Sequence, residues 1–596
     1  MSGAFLIVAW HPEDHEARET AARIEASVMR TPNIAIMRTA GLMIAAQGAR
    51  VERPSPSHFM IGDLFSGSDQ APAPNPGQTD HRGFRDYCSR LLSTHWGSYI
   101  ILRHNPHAHH FLSVFAEPIG SRECIHWRHG GVTMLGCDAE PWLGQFPPLQ
   151  LDLDLEEIAH IIHYPSQAAE TAPLSGITPL ESGGITYFTR SGHETQRLWT
   201  PRDHCVEGDR SDDPAALAQI VDKSIAAWSS GLRRPIMELS GGLDSAIVAA
   251  SLHRAGLNGI DAFTFFSDSL AGDERRFSRA VAEKLGFVPH EIAFKTAAMD
   301  PHLIDSAAIG IRPGIGSTTF FHDRPLANIG SARQADALFT GRGGDALFFQ
   351  HPTPLVAQHI GPGGKRLTLE HVEALARWCQ TSVWRVAMAT FLPAMFRSVA
   401  SGSQSRFCRY ARPSRPSTWA GSLDGLSAGK RMQIEAIAGD RNAFGPSCCA
   451  QAMRVIHPLL SQPIVEYVLG QSLMTLTQGR RDRAMARAAF ADRLPPSLID
   501  RRGKGALSYF FGQTLARSTA LLRERLLEGA LAETGLVDRA SLEQALDPAN
   551  LIQSSCYGEI IRLLIVERWM RGWKEQRAQP RVQAGPLAQD APSETR

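Results

Sequence analysis

Two glycine-rich loops carry the chemistry legible in this chain. The first, Ser240-Gly241-Gly242-Leu243-Asp244-Ser245, follows the apolar run Pro235-Ile236-Met237-Glu238-Leu239 and precedes the small, helix-forming run Ala246-Ile247-Val248-Ala249-Ala250. A strand, a glycine turn and a helix start make an anion cradle, because unpaired backbone N–H groups and the helix dipole converge on one point. Leu239, Ser240, Gly241, Gly242, Asp244 and Ser245 are therefore the candidate phosphate-binding residues. Asp244 repels a phosphate unless a cation intervenes, which points to Mg2+. The loop lacks the Gly-Lys-Ser/Thr ending of the Walker pattern.

The second loop, Thr340-Gly341-Arg342-Gly343-Gly344-Asp345, follows the strand candidate Ala337–Thr340. Gly341, Gly343 and Asp345 at a strand's carboxyl end face the edge where α/β sheets bind ligands. Asp244 and Asp345 are placed to share one or two Mg2+ ions, with Arg342 close to the substrate.

The elements around these loops alternate. Strand candidates at Ile236–Leu239, Asp261–Phe266, His290–Phe294 and Ala337–Thr340 are interleaved with helical periods at Asp244–Ala255, Glu274–Leu285 and Ala327–Gln334. This predicts a parallel sheet with helices on both faces. Residues 1–200 read instead as short β runs bounded by turns, among them Gly97–Leu102, Phe111–Phe115, Gly131–Leu135 and Gly184–Phe188. Arg53–Asp80, rich in Pro, Gly and Ser, reads as a long loop. Helices dominate from about residue 365, interrupted by a basic, turn-rich insertion near Arg406–Ser417. The expected division is 1–202, a linker at 203–213, 214–574, and a disordered tail at 575–596.

With 596 residues the chain needs more than one core. Its net charge of +1 gives no global basic field, and local patches such as Arg480-Arg481 are weak evidence for nucleic acid, so no nucleic-acid partner is expected. No apolar run reaches membrane-helix length, and Ala4–Ala9 reads as a first strand, so no membrane association is expected. Nine scattered cysteines without a CxxC pair read as free thiols of a cytoplasmic protein. His104, His107, His109 and His110 read as a solvated turn without an acidic partner.

The order of motifs resembles the ATP-pyrophosphatases, and within them the synthetase domain of the asparagine-synthetase family. SGGLDS is followed by Asp273-Glu274 opening a helix, by His290 and by TGRGGD. Ile456-His457-Pro458-Leu459-Leu460 through Tyr467 resembles the family's PLLDxxLVEF segment. Leu494–Gly505 resembles its LPxxIxxRxKxG segment, whose lysine falls on Lys504. The resemblance implies ATP and Mg2+ as cofactors, and adenylation of a carboxylate. Lys504 and Asp244 are then the catalytic candidates, with adenine contacts near Phe266. It also implies a fold: a degenerate Ntn-type, glutaminase-like α+β sandwich, then a parallel α/β synthetase domain with a helical C-terminal part. Trp96-Gly97-Ser98-Tyr99, Glu117–Arg122 and Trp199-Thr200-Pro201 match the glutaminase half faintly.

Two departures narrow the expectation. Asparagine synthetases begin Met-Cys-Gly, whereas Ser2 stands here, a weaker nucleophile than a thiolate. Their second loop carries a glutamate that contacts the amino-acid substrate, and here Arg342 stands in its place. A relative that activates a carboxylate but takes no ammonia draws its amine from the substrate. The resemblance is then greatest to the macrolactam synthetases of lasso-peptide biosynthesis, the "C proteins". These act on a precursor (core) peptide with a leader peptidase, the "B protein", as partner. An ammonia-using asparagine synthetase, a β-lactam synthetase-like ligase and a non-catalytic scaffold are the alternatives. An α-amine with a pKa of about 7.7–8.0 needs little help from a base, and Glu466 and Glu435 are candidates for that role. Trp378, Trp384, Phe391 and Phe396 are read as core more readily than as cavity lining.

Overall fold

The computed structural model describes residues 3–67, 73–74, 76, 81–205, 213–267, 272–294, 296–316, 320–359, 368–391, 405–409, 415–503, 505, 508–553 and 556–578. Ser2, Phe396 and Lys504 lie outside the described residues, as do 206–212 of the expected linker.

The first half is a four-layer sandwich. Its twelve strands are β1 (Ala4–Ala9), β2 (Ala35–Thr39), β3 (Leu42–Gln47), β4 (Val51–Ser55), β5 (His58–Ser66), β6 (His95–His104), β7 (Leu112–Ala116), β8 (Ile125–His129), β9 (Val132–Cys137), β10 (Ile177–Pro179), β11 (Gly184–Phe188) and β12 (His193–Arg197). They form two six-stranded antiparallel sheets, ordered β10-β8-β9-β1-β3-β2 and β12-β11-β7-β6-β5-β4. The period-2 alternation decides the layering. Phe5, Ile7 and Ala9 meet Phe59, Ile61 and Leu102 of the facing sheet. Leu6 and Val8 point the other way, onto Ala17, Ala21 and Ile24 of helix His15–Val28. Tyr99, Ile101 and Phe115 pack on Phe84, Tyr87 and Leu91 of helix His81–Thr94.

The second half contains a five-stranded parallel sheet of β13 (Pro235–Glu238), β14 (Asp261–Ser267), β15 (Val288–Phe294), β16 (Ala337–Phe339) and β17 (Arg454–Ile456), ordered β15-β14-β13-β16-β17. Helices cover both faces. Leu217, Val221, Ile225 and Ile247 lie in the core on one side, and Leu326, Ala327, Cys449 and Met453 on the other. The fold is thus the mixed α/β class expected, an antiparallel sandwich followed by a parallel sheet and many helices.

Several expectations give way to the structure. Much of Arg53–Asp80 is strand: β4 and β5 pair antiparallel, and Phe59, Met60 and Ile61 are buried. His58-Phe59-Met60-Ile61 was the apolar signal masked by the flanking prolines and serines. His104 closes strand β6 and is 5% exposed, while His110 lies 3.2 Å from Glu194, an acidic partner distant in sequence. Trp384 and Phe391, read as core, are exposed, and Trp378 packs partly on the main core. The last helix, Tyr557–Ala578, overruns the expected start of the tail because Glu575 pairs along it with Arg568 and Arg571. All nine cysteines are free thiols, buried or half-buried. No helix among the described residues is long and apolar enough to cross a membrane.

The halves share cores and polar ties. Trp96, Ile119 and Trp199 belong to the core built on the parallel sheet. Trp199 Nε1 donates to Glu466 Oε1 at 2.7 Å, Trp419 Nε1 to the Pro118 carbonyl at 2.7 Å, and Arg454 pairs with Asp63 at 2.6 Å.

Burial pushes His104 and His457 down to about 4 and His126 to about 3, the first two with help from Arg103 and Arg342, the third from His193 and Arg128. These rings are neutral when folded and protonate near 6.5 when unfolded, so the unfolded state binds more protons between those values. Stability should therefore fall as pH drops from about 6.5 to about 4, by on the order of 3 kcal/mol for each ring. Urea midpoints followed through this window would show the fall, and His457→Gln should flatten it.

Candidate active site

The phosphate cradle forms where the sheet's central strand ends. β13 stops at Glu238, Gly242 caps helix Leu243–Arg254, and that helix offers its first-turn N–H groups at the sheet's carboxyl edge. Gly241 has φ +76°, and a Cβ there would meet the Glu274 carbonyl at 2.7 Å, so glycine is required. Hydroxyls brace the turn: Ser245 Oγ accepts from Ser240 N–H at 3.2 Å and donates to the Gly242 carbonyl at 3.2 Å.

The second loop lies directly against the first. A Cβ on Gly341 would meet Ser245 N at 2.4 Å, and one on Gly344 would meet Asp244 Cγ at 2.5 Å. This contact brings Asp244 and Asp345 onto one nitrogen. Arg483 Nη1 donates to Asp244 Oδ2 at 2.9 Å and to Asp345 Oδ1 at 2.6 Å. Asp482 accepts from Arg483 Nε at 2.8 Å and from Arg487 Nη2 at 3.0 Å, fixing the guanidinium from behind. Burial opposes the charge on Arg483, but Asp244, Asp345 and Asp482 outweigh it and raise its pKa. Asp482 is held below the usual carboxylate range, the charges of Arg483 and Arg487 outweighing its burial.

The donor set suits Mg2+. Two carboxylates converge closely enough for one N–H-bearing nitrogen to reach both, and such an ion takes one or two protein carboxylates with phosphate and water oxygens completing its shell. Among the described residues no group of three or more His, Cys, Asp and Glu assembles into a dedicated cage.

Arg483 is the residue sequence reasoning missed. The signal lay next to Arg480-Arg481, read only as a local basic patch, in the following Asp482-Arg483. The segment around Lys504 is tied to the cradle on both sides: Arg501 Nη1 donates to the Gly241 carbonyl at 3.1 Å and also pairs with Glu274, and Gly505 N–H donates to Glu274 Oε1 at 2.6 Å. Phe266 sits beyond the cradle, with the Arg275 guanidinium 3.7 Å from its ring centroid and Arg275 itself held by Asp273. Arg342 Nη1 donates to the Gly316 carbonyl at 3.2 Å. Glu466 is engaged by Trp199 and Gln462, in joining the two halves. Glu435 is pushed up to about 7 by burial, Arg431 opposing, on helix Ala428–Asp440.

Fold and site are in keeping with an ATP-dependent, amide-forming ligase. The asparagine synthase family model matches residues 216–571, and the chain belongs to that family. No curated protein matches the chain. Among solved structures it is similar to an allosteric regulatory enzyme of purine biosynthesis, at 11% identity over 50% of this chain and 75% of that one, with a TM-score of 0.19. It is also similar to glutamine phosphoribosylpyrophosphate amidotransferase from B. subtilis, complexed with ADP and GMP, at 12% identity over 57% and 84%, with a TM-score of 0.18. Superpositions this low carry no argument about the chemistry.

Arg483 and Asp244 are both buried, so removing the guanidinium leaves the carboxylates facing each other. Arg483→Ala should lose about 3 kcal/mol of stability, read from denaturant midpoints, and added Mg2+ should restore more in the variant than in the wild type. Gly344→Ala should abolish the thermal protection given by Mg-ATP, since its Cβ falls on the Asp244 carboxylate.

Proposed function

We propose that the chain is an ATP-dependent macrolactam synthetase of the lasso-peptide type. It adenylates an Asp or Glu side chain of a core peptide and closes an isopeptide bond with that peptide's own α-amine. The observation that carries this reading is Arg342. The family's acceptor-side glutamate, suited to a free amino acid, is replaced by a guanidinium, while both carboxylates of the paired loops are kept. The cradle from Ser240 to Ser245 binds the phosphates of ATP. Mg2+ held by Asp244 and Asp345 would neutralise phosphate charge when bound. Arg483 keeps the two carboxylates aligned, and Lys504 is proposed to steady the negative charge that develops as pyrophosphate leaves. Most of the rate gain is then positioning and charge stabilisation. A precursor peptide and a leader peptidase are the partners this chemistry requires. An ammonia-using asparagine synthetase is the second reading, compatible with the same family match.

The test is pyrophosphate release from Mg-ATP with two acceptors in parallel. One is free aspartate with ammonium. The other is a synthetic core peptide with a free α-amine and an Asp or Glu side chain within ring-closing reach, followed by mass spectrometry. Peptide-dependent release with loss of one water from the peptide, abolished by Asp244→Ala, is expected. Turnover on aspartate would return the chain to asparagine synthesis, and silence with both would leave a scaffold.

A further inference from the structure

Three adjacent strands deliver polar groups to one end of the parallel sheet. Glu238 closes β13, Thr340 follows β16 and His457 follows β17. Glu238 interrupts an apolar run between the buried Met237 and Leu239, and a carboxylate in such a place is costly unless it is employed. It stands two residues before Ser240, roughly 7 Å along an extended chain.

Its partner comes from another element. His322, on helix Phe320–Arg333, brings Nδ1 within 3.4 Å of Glu238 Oε1. Aromatic faces clamp the His322 ring: it stacks on Phe265 with centroids 4.4 Å apart and planes 5° apart, and on Phe294 at 4.6 Å and 13°. The carboxylate is the more open member of the pair, with 24% of its side chain exposed against 12% for the histidine.

Arg342 and His457 act electrostatically on Glu238. His457 Nε2 faces the Ala443 carbonyl at 3.1 Å and so carries the proton, and its Nδ1 takes the Thr340 hydroxyl at 2.7 Å. Burial keeps that ring neutral. Burial also opposes ionisation of Glu238, but the nearby His322 ring, 3.4 Å away, and the charge of Arg342 outweigh it and hold the carboxyl below its usual range. Asp244 and Asp345 are matched by the Arg483 guanidinium and Glu466 by Trp199, whereas Glu238 faces the His322 ring at 3.4 Å.

We propose that Glu238 receives the nucleophilic amine of the acceptor and takes its surplus proton, with His322 as the positioning residue that holds the carboxylate. This rests on the amide-ligase reading above and names the residue that handles its nucleophile. In the step, the amine nitrogen forms the C–N bond with the activated acyl carbon. The acyl C–O bond to phosphate breaks with its electron pair leaving on AMP, and the amine's extra proton passes to the Glu238 carboxylate.

The two half-reactions separate this role from adenylation. With the synthetic core peptide and Mg-ATP, Glu238→Gln should release pyrophosphate like the wild type. With hydroxylamine, a nucleophile already neutral near neutral pH, it should form hydroxamate at the wild-type rate, yet close the ring about 100-fold more slowly. Glu238→Asp should recover part of that loss, and His322→Gln should slow ring closure while sparing hydroxamate formation. Wild-type ring closure in Glu238→Gln overturns the assignment. So does loss of pyrophosphate release in a variant that melts like the wild type. Wild-type protein that releases no pyrophosphate with the peptide fails the proposed function itself, and the assignment with it, before any variant is read.

Discussion

The whole site depends on two glycine loops pressed into contact at the carboxyl edge of one sheet. Gly341 and Gly344 leave no space for a Cβ against Ser245 and Asp244, so Asp244 and Asp345 cannot move apart. Two carboxylates held this way repel each other, and in a buried setting the repulsion is far larger than in water. The chain answers with Arg483, whose guanidinium spans both, and braces that guanidinium with Asp482, itself held by Arg487. The positions of the helix Leu243–Arg254, of the turn before it and of the segment around Arg501 all follow from keeping this contact closed.

The same logic distributes the remaining charges. Elsewhere buried or half-buried ionic groups meet opposite ones from distant parts of the sequence: Arg501 with Glu274, Arg454 with Asp63, Arg312 with Glu123. Such pairs contribute little net stability compared with apolar packing, but breaking one is costly. They therefore specify one arrangement of loops more than they strengthen it. A site assembled in this way is preorganised before any nucleotide arrives, which is what catalysis by positioning needs.

Much of this was legible in the amino-acid sequence, for physical reasons that also explain the gaps. β13, β14 and β16 read clearly because strands inside a parallel sheet are near-continuous apolar runs, and the edge strand β15 because its sequence is rich in Val, Ile and Phe. The two loops read clearly because glycines cluster where backbone must approach something closely. Beyond those, β17 has three residues and left no periodic signal. β5 was hidden by the prolines and serines around it. Arg483 looked like any member of a basic run, since nothing local separates a solvated arginine from one turned inward by a left-handed backbone, here φ +51°. Glu238 and His322 are 84 positions apart in the numbering, and only the fold makes them neighbours. The His110–Glu194 pair escaped notice for the same reason.

The last helix has a consequence for how the chain is made. Ile560, Leu564 and Trp569 of Tyr557–Ala578 lie in the same core as Leu6, Val8 and Ile24 from the opening strand and helix. Synthesis runs from the amino end, and domains ordinarily close as they emerge. Here helix Leu155–His163 of the first half meets a helix made far later, Tyr557–Ala578. Until that helix emerges, the apolar side chains of the first half that it packs on lack part of their cover.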